Sequence, residues 1–68
     1  MTRLKINGVE EELAVATIAE LLAARGIDPK ARFLAVAVNG AVVRRGDWPA
    51  TALAVGDSVE IVRPLQGG

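Results

Sequence analysis

The chain has 68 residues, with eight Lys or Arg, eight Asp or Glu and no His, so its formal net charge at pH 7 is zero. This length gives one small domain, and zero net charge argues against a basic surface for nucleic acid or membranes. A hydrophobic content of 51% excludes intrinsic disorder, but no apolar run approaches the roughly 20 residues of a membrane span. Without Cys or His, disulfides, thiolate nucleophiles, Ser-His-Asp triads and the common zinc sites are excluded. The alternating polarity of the first residues predicts no secretory signal, and we expect a cytoplasmic protein.

The first two predicted elements form a hairpin. Residues 2–6 alternate in polarity, which is typical of a half-buried strand. Asn7 and Gly8 follow, and both tolerate the positive φ of a tight hairpin turn. Residues 9–13 form the second strand, and Glu11 on its otherwise apolar face predicts an edge position.

A helix is predicted next. Thr17 and Glu20 form a Thr-x-x-Glu capping box at its start. Arg25 suits the negative end of the helix dipole, and Gly26 supplies a left-handed stop. Three apolar residues have the spacing of one buried helical face: Ile18, Leu21 and Leu22.

Three further strands are predicted after the helix. Residues 33–38 form an apolar central strand, and Asn39-Gly40 turns the chain into a strand over residues 41–44. Residues 46–54 break that strand as a 3₁₀ turn or irregular chain. Residues 58–63 alternate as the last strand, and Pro64 ends regular pairing.

This order predicts an α+β domain of the β-grasp, ubiquitin-like type, with a mixed sheet of four to five strands packed on one helix. A right-handed crossover through the helix predicts a third strand parallel to the first, and the last strand is expected beside the first in the middle of the sheet. We assign residues 1–63 to the domain and residues 64–68 to a flexible C-terminal tail.

The side chains of this body offer little chemistry of their own. Ser58 fits turn chemistry better than a nucleophile, and the carboxylates at 10–12 point alternately to opposite faces, which disfavours a metal site. Arg44 and Arg45 also point to opposite faces, so a surface role is favoured over phosphate binding. Trp48 is interpreted as a plug under the end of the sheet. The sequence therefore predicts a carrier or binding module that is not an enzyme and has no bound cofactor or metal.

The most distinctive feature is the terminal Gly67-Gly68. Glycine lacks a Cβ and adopts unusual backbone angles, so such a segment can thread a narrow channel in a partner enzyme. A carboxylate delivered there is a poor electrophile until it is adenylated. After activation, it can become a thiocarboxylate or an amide.

The sequence resembles the ThiS family of sulfur carrier proteins of thiamin thiazole biosynthesis over nearly its whole length. The segments that carry the resemblance are 37–40, 42–48, 55–61 and Gly67-Gly68. Arg44 departs from the proline expected in some members, a difference that concerns the fourth strand.

The resemblance implies that Gly68 is the modified residue and Gly67 the threading residue. An E1-like adenylating enzyme would activate Gly68 with ATP and magnesium, a persulfide donor would convert it to a thiocarboxylate, and thiazole synthase would receive the sulfur. Two alternatives stay open. One is a sulfur carrier for another pathway, such as molybdopterin or cysteine formation, and the other is a ubiquitin-like modifier or interaction module.

Partner docking is predicted around the end of the last strand. Val62 points outward and, with Leu65, forms a candidate apolar patch that leads to the terminus. Arg63 can steer the approach of a partner, and Gln66 lies in the same stretch. The alternative for Leu65 is a lid on the end of the sheet.

Overall fold

The computed structural model describes residues 1–63. It contains five strands, one α-helix and one 3₁₀ helix in these residues. In chain order these are β1 (Thr2–Ile6), β2 (Val9–Leu13), α1 (Ile18–Ala24), β3 (Ala35–Val38), β4 (Ala41–Val43), the 3₁₀ helix (Arg45–Ala50) and β5 (Ser58–Val62).

The five strands form one mixed sheet in the order β2-β1-β5-β3-β4. The last strand, β5, lies in the middle, parallel to β1 and antiparallel to β3. Its central position and the edge position of β2 were predicted, and the mixed sheet with one helix confirms the fold class. The prediction that β3 runs parallel to β1 is wrong. The right-handed crossover applies to parallel strands, and the parallel partner of β1 is β5, while the connection over 25–34 reverses the chain before β3.

Two Asn-Gly turns set the register of the two hairpins. Asn7 and Gly8 have φ of 50° and 86°, and Asn39 and Gly40 have φ of 51° and 84°. Both pairs therefore adopt the positive φ values that their sequence predicted, and β1 pairs with β2 and β3 with β4 directly across these turns.

Helix α1 begins and ends at the predicted signals. Thr17 accepts a hydrogen bond from the Glu20 N–H at 3.2 Å, whereas the Glu20 carboxylate accepts from Ala16 N–H at 2.8 Å, one residue before the position in a standard capping box. Gly26 has φ of 70°, the expected left-handed stop. Arg25 does more than face the helix dipole, because its guanidinium also binds both carboxylate oxygens of Glu11 on β2, at 2.8 and 2.9 Å.

One apolar cluster fills the space between the sheet and α1. The helix contributes three fully buried residues, as predicted, and Trp48 closes one end with 2% of its surface exposed. The Trp48 indole N–H donates to the Val43 carbonyl at 2.9 Å, which pairs the buried polar atom of this plug. No polar or charged residue is buried within residues 1–63. The buried residues are Leu4, Ile6, Val15, Ile18, Leu21, Leu22, Ile27, Leu34, Val36, Trp48, Leu53, Val59 and Ile61.

The third strand starts later than predicted. It begins at Ala35, whereas Phe33 has φ of 62° and leaves 78% of its surface exposed. A residue with this φ cannot continue a strand, so the strand start predicted from the apolar run was too early. The strands predicted over 41–44 and 58–63 each end one residue earlier, at Val43 and Val62. In the described part of the chain, no helix has the length and apolar content to cross a bilayer.

Candidate functional site

The predicted site lies where β5 ends. Val62 and Arg63 are the last predicted docking residues that the structure describes, and both are exposed. Leu65, Gln66, Gly67 and Gly68 were also predicted to act here, but they lie outside the described residues, so their roles stay predictions. The structure therefore shows the surface from which the C-terminal segment, residues 64–68, begins.

The end of β5 is fastened by a side chain from the first hairpin. The Asn7 amide accepts a hydrogen bond from Ile61 N–H at 2.8 Å and donates to the Ile61 carbonyl at 3.3 Å. Because β1 ends at Ile6, the amide of Asn7 replaces the backbone partner that β1 no longer offers. These two hydrogen bonds hold β5 in place at Ile61, two residues before Arg63.

A second asparagine secures the opposite end of β5. The side-chain Oδ1 of Asn39 accepts from Ser58 N–H at 3.0 Å, and its side-chain N–H donates to the Asp57 carboxylate at 3.0 Å. The asparagines of both Asn-Gly turns thus also hold β5, the strand that leads to the C-terminal segment, by side-chain hydrogen bonds. The sequence predicted the turns but not these side-chain contacts.

The outer face of the sheet carries an apolar surface beside this strand end. Ala35 lies opposite Val62, and Ala37 lies opposite Val42, so these residues share one face. Val42 and Val62 leave 76% and 59% of their surfaces exposed. We call these four residues the sheet patch. Exposed apolar surface of this kind marks interaction sites, and the predicted outward position of Val62 is correct.

The other half of the same face is charged. Lys5 lies opposite Glu10, and Arg3 lies opposite Glu12. The guanidinium of Arg3 donates to Glu12 at 2.7 Å, and this hydrogen bond, together with the charges of Glu12 and Glu10, raises the pKa of Arg3. The outer face is therefore divided into an ionic half on β1 and β2 and a more apolar half on β3, β4 and β5, in which Glu60 lies opposite Ala37.

Arg45 has a structural role that sequence analysis missed. Its guanidinium donates to the carbonyls of Pro29, Ala31 and Leu34, the latter two at 2.9 and 3.5 Å. It also lies 5.0 Å from the centroid of the Trp48 ring. Arg45 thus fastens the loop before β3 to the 3₁₀ helix. The three carbonyls belong to residues eleven to sixteen positions away, so no local pattern could have revealed these hydrogen bonds.

Metal-binding chemistry has no visible basis in the described part of the chain. Residues 1–63 contain no group of three acidic side chains placed to hold a metal ion, and the chain has no His or Cys. The surface built here is suited to contact with another protein, because it combines exposed apolar side chains with a neighbouring charged region.

Comparison with known protein families identifies the chain. The model of the ThiS family matches residues 4–68, which include the sheet patch, β5 and the two terminal glycines. The chain belongs to the ThiS family. This confirms the resemblance drawn from the sequence, and membership supports a sulfur carrier role in thiamine biosynthesis. Members of the ThiS family are small carrier proteins that are generally not enzymes.

Solved structures of ThiS proteins agree with this assignment. A crystal structure of a thiamine biosynthesis protein (ThiS) from Geobacter metallireducens is 31% identical and has a TM-score of 0.78, over 98% of this chain and 100% of that one. An NMR solution structure of a thiamine biosynthesis protein from the same organism gives the same identity and TM-score, over 98% of this chain and 88% of that one. The comparison with curated protein sequences finds no match.

Proposed function

We propose that this chain carries sulfur as a thiocarboxylate on Gly68 and delivers it to thiazole synthase. The proposal is supported above all by the ThiS family match, which extends through residue 68. A second support is the sheet patch on the strand that leads to this residue, since a carrier must be recognised by the enzymes that act on it.

The chemistry belongs to the terminal carboxylate and to the partner enzymes. A carboxylate oxygen of Gly68 attacks the α-phosphorus of ATP, held with Mg²⁺ by the adenylating enzyme, and pyrophosphate leaves. A persulfide sulfur then attacks the acyl carbon of the adenylate, and AMP leaves. A thiol finally cleaves the S–S bond of the resulting acyl disulfide, so that the thiocarboxylate stays on Gly68 and the thiol is oxidised to a disulfide.

In this scheme, the folded body recognises partners. The sheet patch contacts an apolar surface of the adenylating enzyme, Arg63 guides its approach, and Leu65, Gln66 and Gly67 lie within the enzyme's channel. Glycine at 67 suits this position because it has no Cβ to collide with channel walls. Confinement to a channel also keeps water away from the activated carboxylate.

The test is an intact-mass measurement after incubation with the adenylating enzyme, MgATP and a persulfide donor. We expect the exchange of one oxygen for one sulfur, dependent on ATP, and no exchange in a variant that lacks Gly68. Unchanged loading of that variant would contradict the proposal, and amide conjugates to other proteins would instead favour a modifier.

Docking through the sheet patch is tested by a matched pair of variants. Val62→Glu places a charge in the patch, whereas Val55→Glu makes the same change at another exposed valine, before the Gly56 turn. We expect Val62→Glu to raise the KM of loading at least about tenfold and Val55→Glu to leave it near the wild-type value. Equal effects of the two substitutions would argue against docking through the patch.

A further inference from the structure

A groove separate from the sheet patch lies beside the start of the C-terminal segment. It has a volume of about 470 Å³ and opens between the loop over 26–34 and the end of β5. Phe33 and Arg32 line it from the loop, and Arg63 lines it from the strand end. The guanidinium of Arg32 lies 5.9 Å from the centroid of the Phe33 ring. The groove therefore combines an aromatic ring with two cations.

The backbone conformation and the exposed ring of Phe33 both lower the stability of the domain. Its φ of 62° lies in the left-handed region, where a bulky side chain is strained and Gly or Asn is better tolerated. Its ring also leaves the core and stays 78% exposed, which forgoes the gain from burying an aromatic side chain. Stability of the isolated domain thus favours a different residue at this position.

The loop that presents Phe33 is held in place by several hydrogen bonds. Arg45 binds three of its carbonyls, at Pro29, Ala31 and Leu34. Within the loop, the Asp28 carboxylate accepts from Lys30 N–H at 2.9 Å. The outward position of Phe33 is accordingly fixed before any partner arrives, and preorganisation of this kind reduces the entropy lost on binding.

The charges of the groove favour an acidic ligand. Ion pairs among residues 1–63 join Arg3 to Glu12 and Arg25 to Glu11, and neither Arg32 nor Arg63 takes part in one. Asp28 is the single carboxylate among the residues that line the groove. The two guanidinium groups give the groove a net positive charge and can each bind a carboxylate with two hydrogen bonds.

The position of the groove indicates which protein covers it. The five residues after Arg63 span at most about 17 Å, so an enzyme that acts on Gly68 must bring its surface close to Arg63. The adenylating enzyme acts first and must select this chain from other proteins before it consumes ATP. Contacts beyond the terminal glycines are needed for that selection.

We propose that the groove binds an acidic segment of the adenylating enzyme, with an apolar side chain packed on Phe33 and carboxylates paired with Arg32 and Arg63. The inference depends on the proposed function, because it assigns the groove to the enzyme that activates Gly68. Together with the sheet patch, it gives the enzyme two contact surfaces on either side of the strand end.

Steady-state loading by the adenylating enzyme tests this docking surface. Phe33→Asn removes the ring and suits the local φ, and Arg32→Gln combined with Arg63→Gln removes the two charges. We expect each variant to raise the KM for the carrier about tenfold with kcat within about twofold of wild type. The melting temperature of Phe33→Asn should equal or exceed that of the wild type, because the backbone strain is relieved. The effect of the double substitution should diminish at high salt, where paired charges are screened.

Two control variants separate the groove from the rest of the surface. Lys30→Gln removes a charge from the same loop outside the groove, and Val55→Asn removes an exposed apolar side chain before the other end of β5. Both should load with the wild-type KM. A wild-type KM for Phe33→Asn, or an equal rise in the controls, would overturn the docking inference while the proposed function stands. Failure of the wild-type chain to load at all would overturn both.

Discussion

Replacing Asn7 tests how β5 is held beside the predicted site. Asn7 has φ of 50°, and its amide makes two hydrogen bonds with the backbone of Ile61. Asn7→Gly keeps the positive φ without strain and removes only the side-chain contacts. Asn7→Ala removes the same contacts but keeps a Cβ in the left-handed region, without the polar side chain that helps Asn to adopt this conformation. The pair therefore separates the hydrogen bonds from the backbone conformation.

The expected loss can be worked out from these two contacts. Each side-chain hydrogen bond contributes about 0.5–1.5 kcal/mol net, and the bond to the Ile61 carbonyl is long at 3.3 Å, near the weak end. Asn7→Gly should therefore lower the free energy of unfolding by about 2 kcal/mol, once the extra freedom of glycine in the unfolded chain is included. In a domain of this size, that corresponds to a fall in Tm of about 10 °C. Asn7→Ala should cost about 1 kcal/mol more because of its Cβ.

Thermal unfolding followed by circular dichroism gives the stability, and amide hydrogen exchange shows where it is lost. Exchange of the Ile61 N–H should become at least about tenfold faster in Asn7→Gly. Asn39→Gly is the matched control, because Asn39 bonds to Ser58 N–H at the other end of β5, and its loss should accelerate exchange at Ser58 instead. A Tm of Asn7→Gly within about 2 °C of wild type, with unchanged exchange at Ile61, would refute this reasoning.

Two further predictions concern the loop before β3 and the helix. Arg45→Lys keeps the charge but loses the forked geometry that reaches three carbonyls, so it should lower the free energy of unfolding by about 1–2 kcal/mol in a urea titration followed by Trp48 fluorescence. Arg44→Lys is the matched control. An equal decrease in the free energy of unfolding in the two variants would contradict the role of Arg45. Thr17→Ala should cost about 1 kcal/mol and Thr17→Ser only a few tenths, because Ser retains the capping oxygen. Equal stability of these two variants in the same titration would show that the cap contributes nothing.

Features set by neighbouring residues were predictable from the sequence. The two Asn-Gly turns, the Thr17 cap and the stop at Gly26 each depend on residues a few positions apart, and the structure contains all of them. The burial of Trp48 and the outward position of Val62 followed from composition and from alternation along β5. These signals suffice for the element order and the fold class.

Features set by distant residues were not predictable in the same way. The left-handed φ of Phe33 belongs to a loop fastened by Arg45, twelve positions later in the sequence, while the local apolar run favoured a strand. The sheet patch requires the register of β3 against β4 and β5, which places Ala35 opposite Val62. The local sequence also does not determine whether β3 runs parallel or antiparallel to β1.

In the proposed mechanism, Gly68 carries the sulfur, and the folded body supplies recognition and no chemistry. Fragmentation mass spectrometry of the protein after ATP-dependent loading tests it most directly, because it locates the added sulfur along the chain. We expect every fragment containing Gly68 to carry the exchange of oxygen for sulfur and fragments confined to residues 1–63 to be unchanged. Sulfur found on the body, or an unmodified Gly68 in the loaded protein, would contradict it.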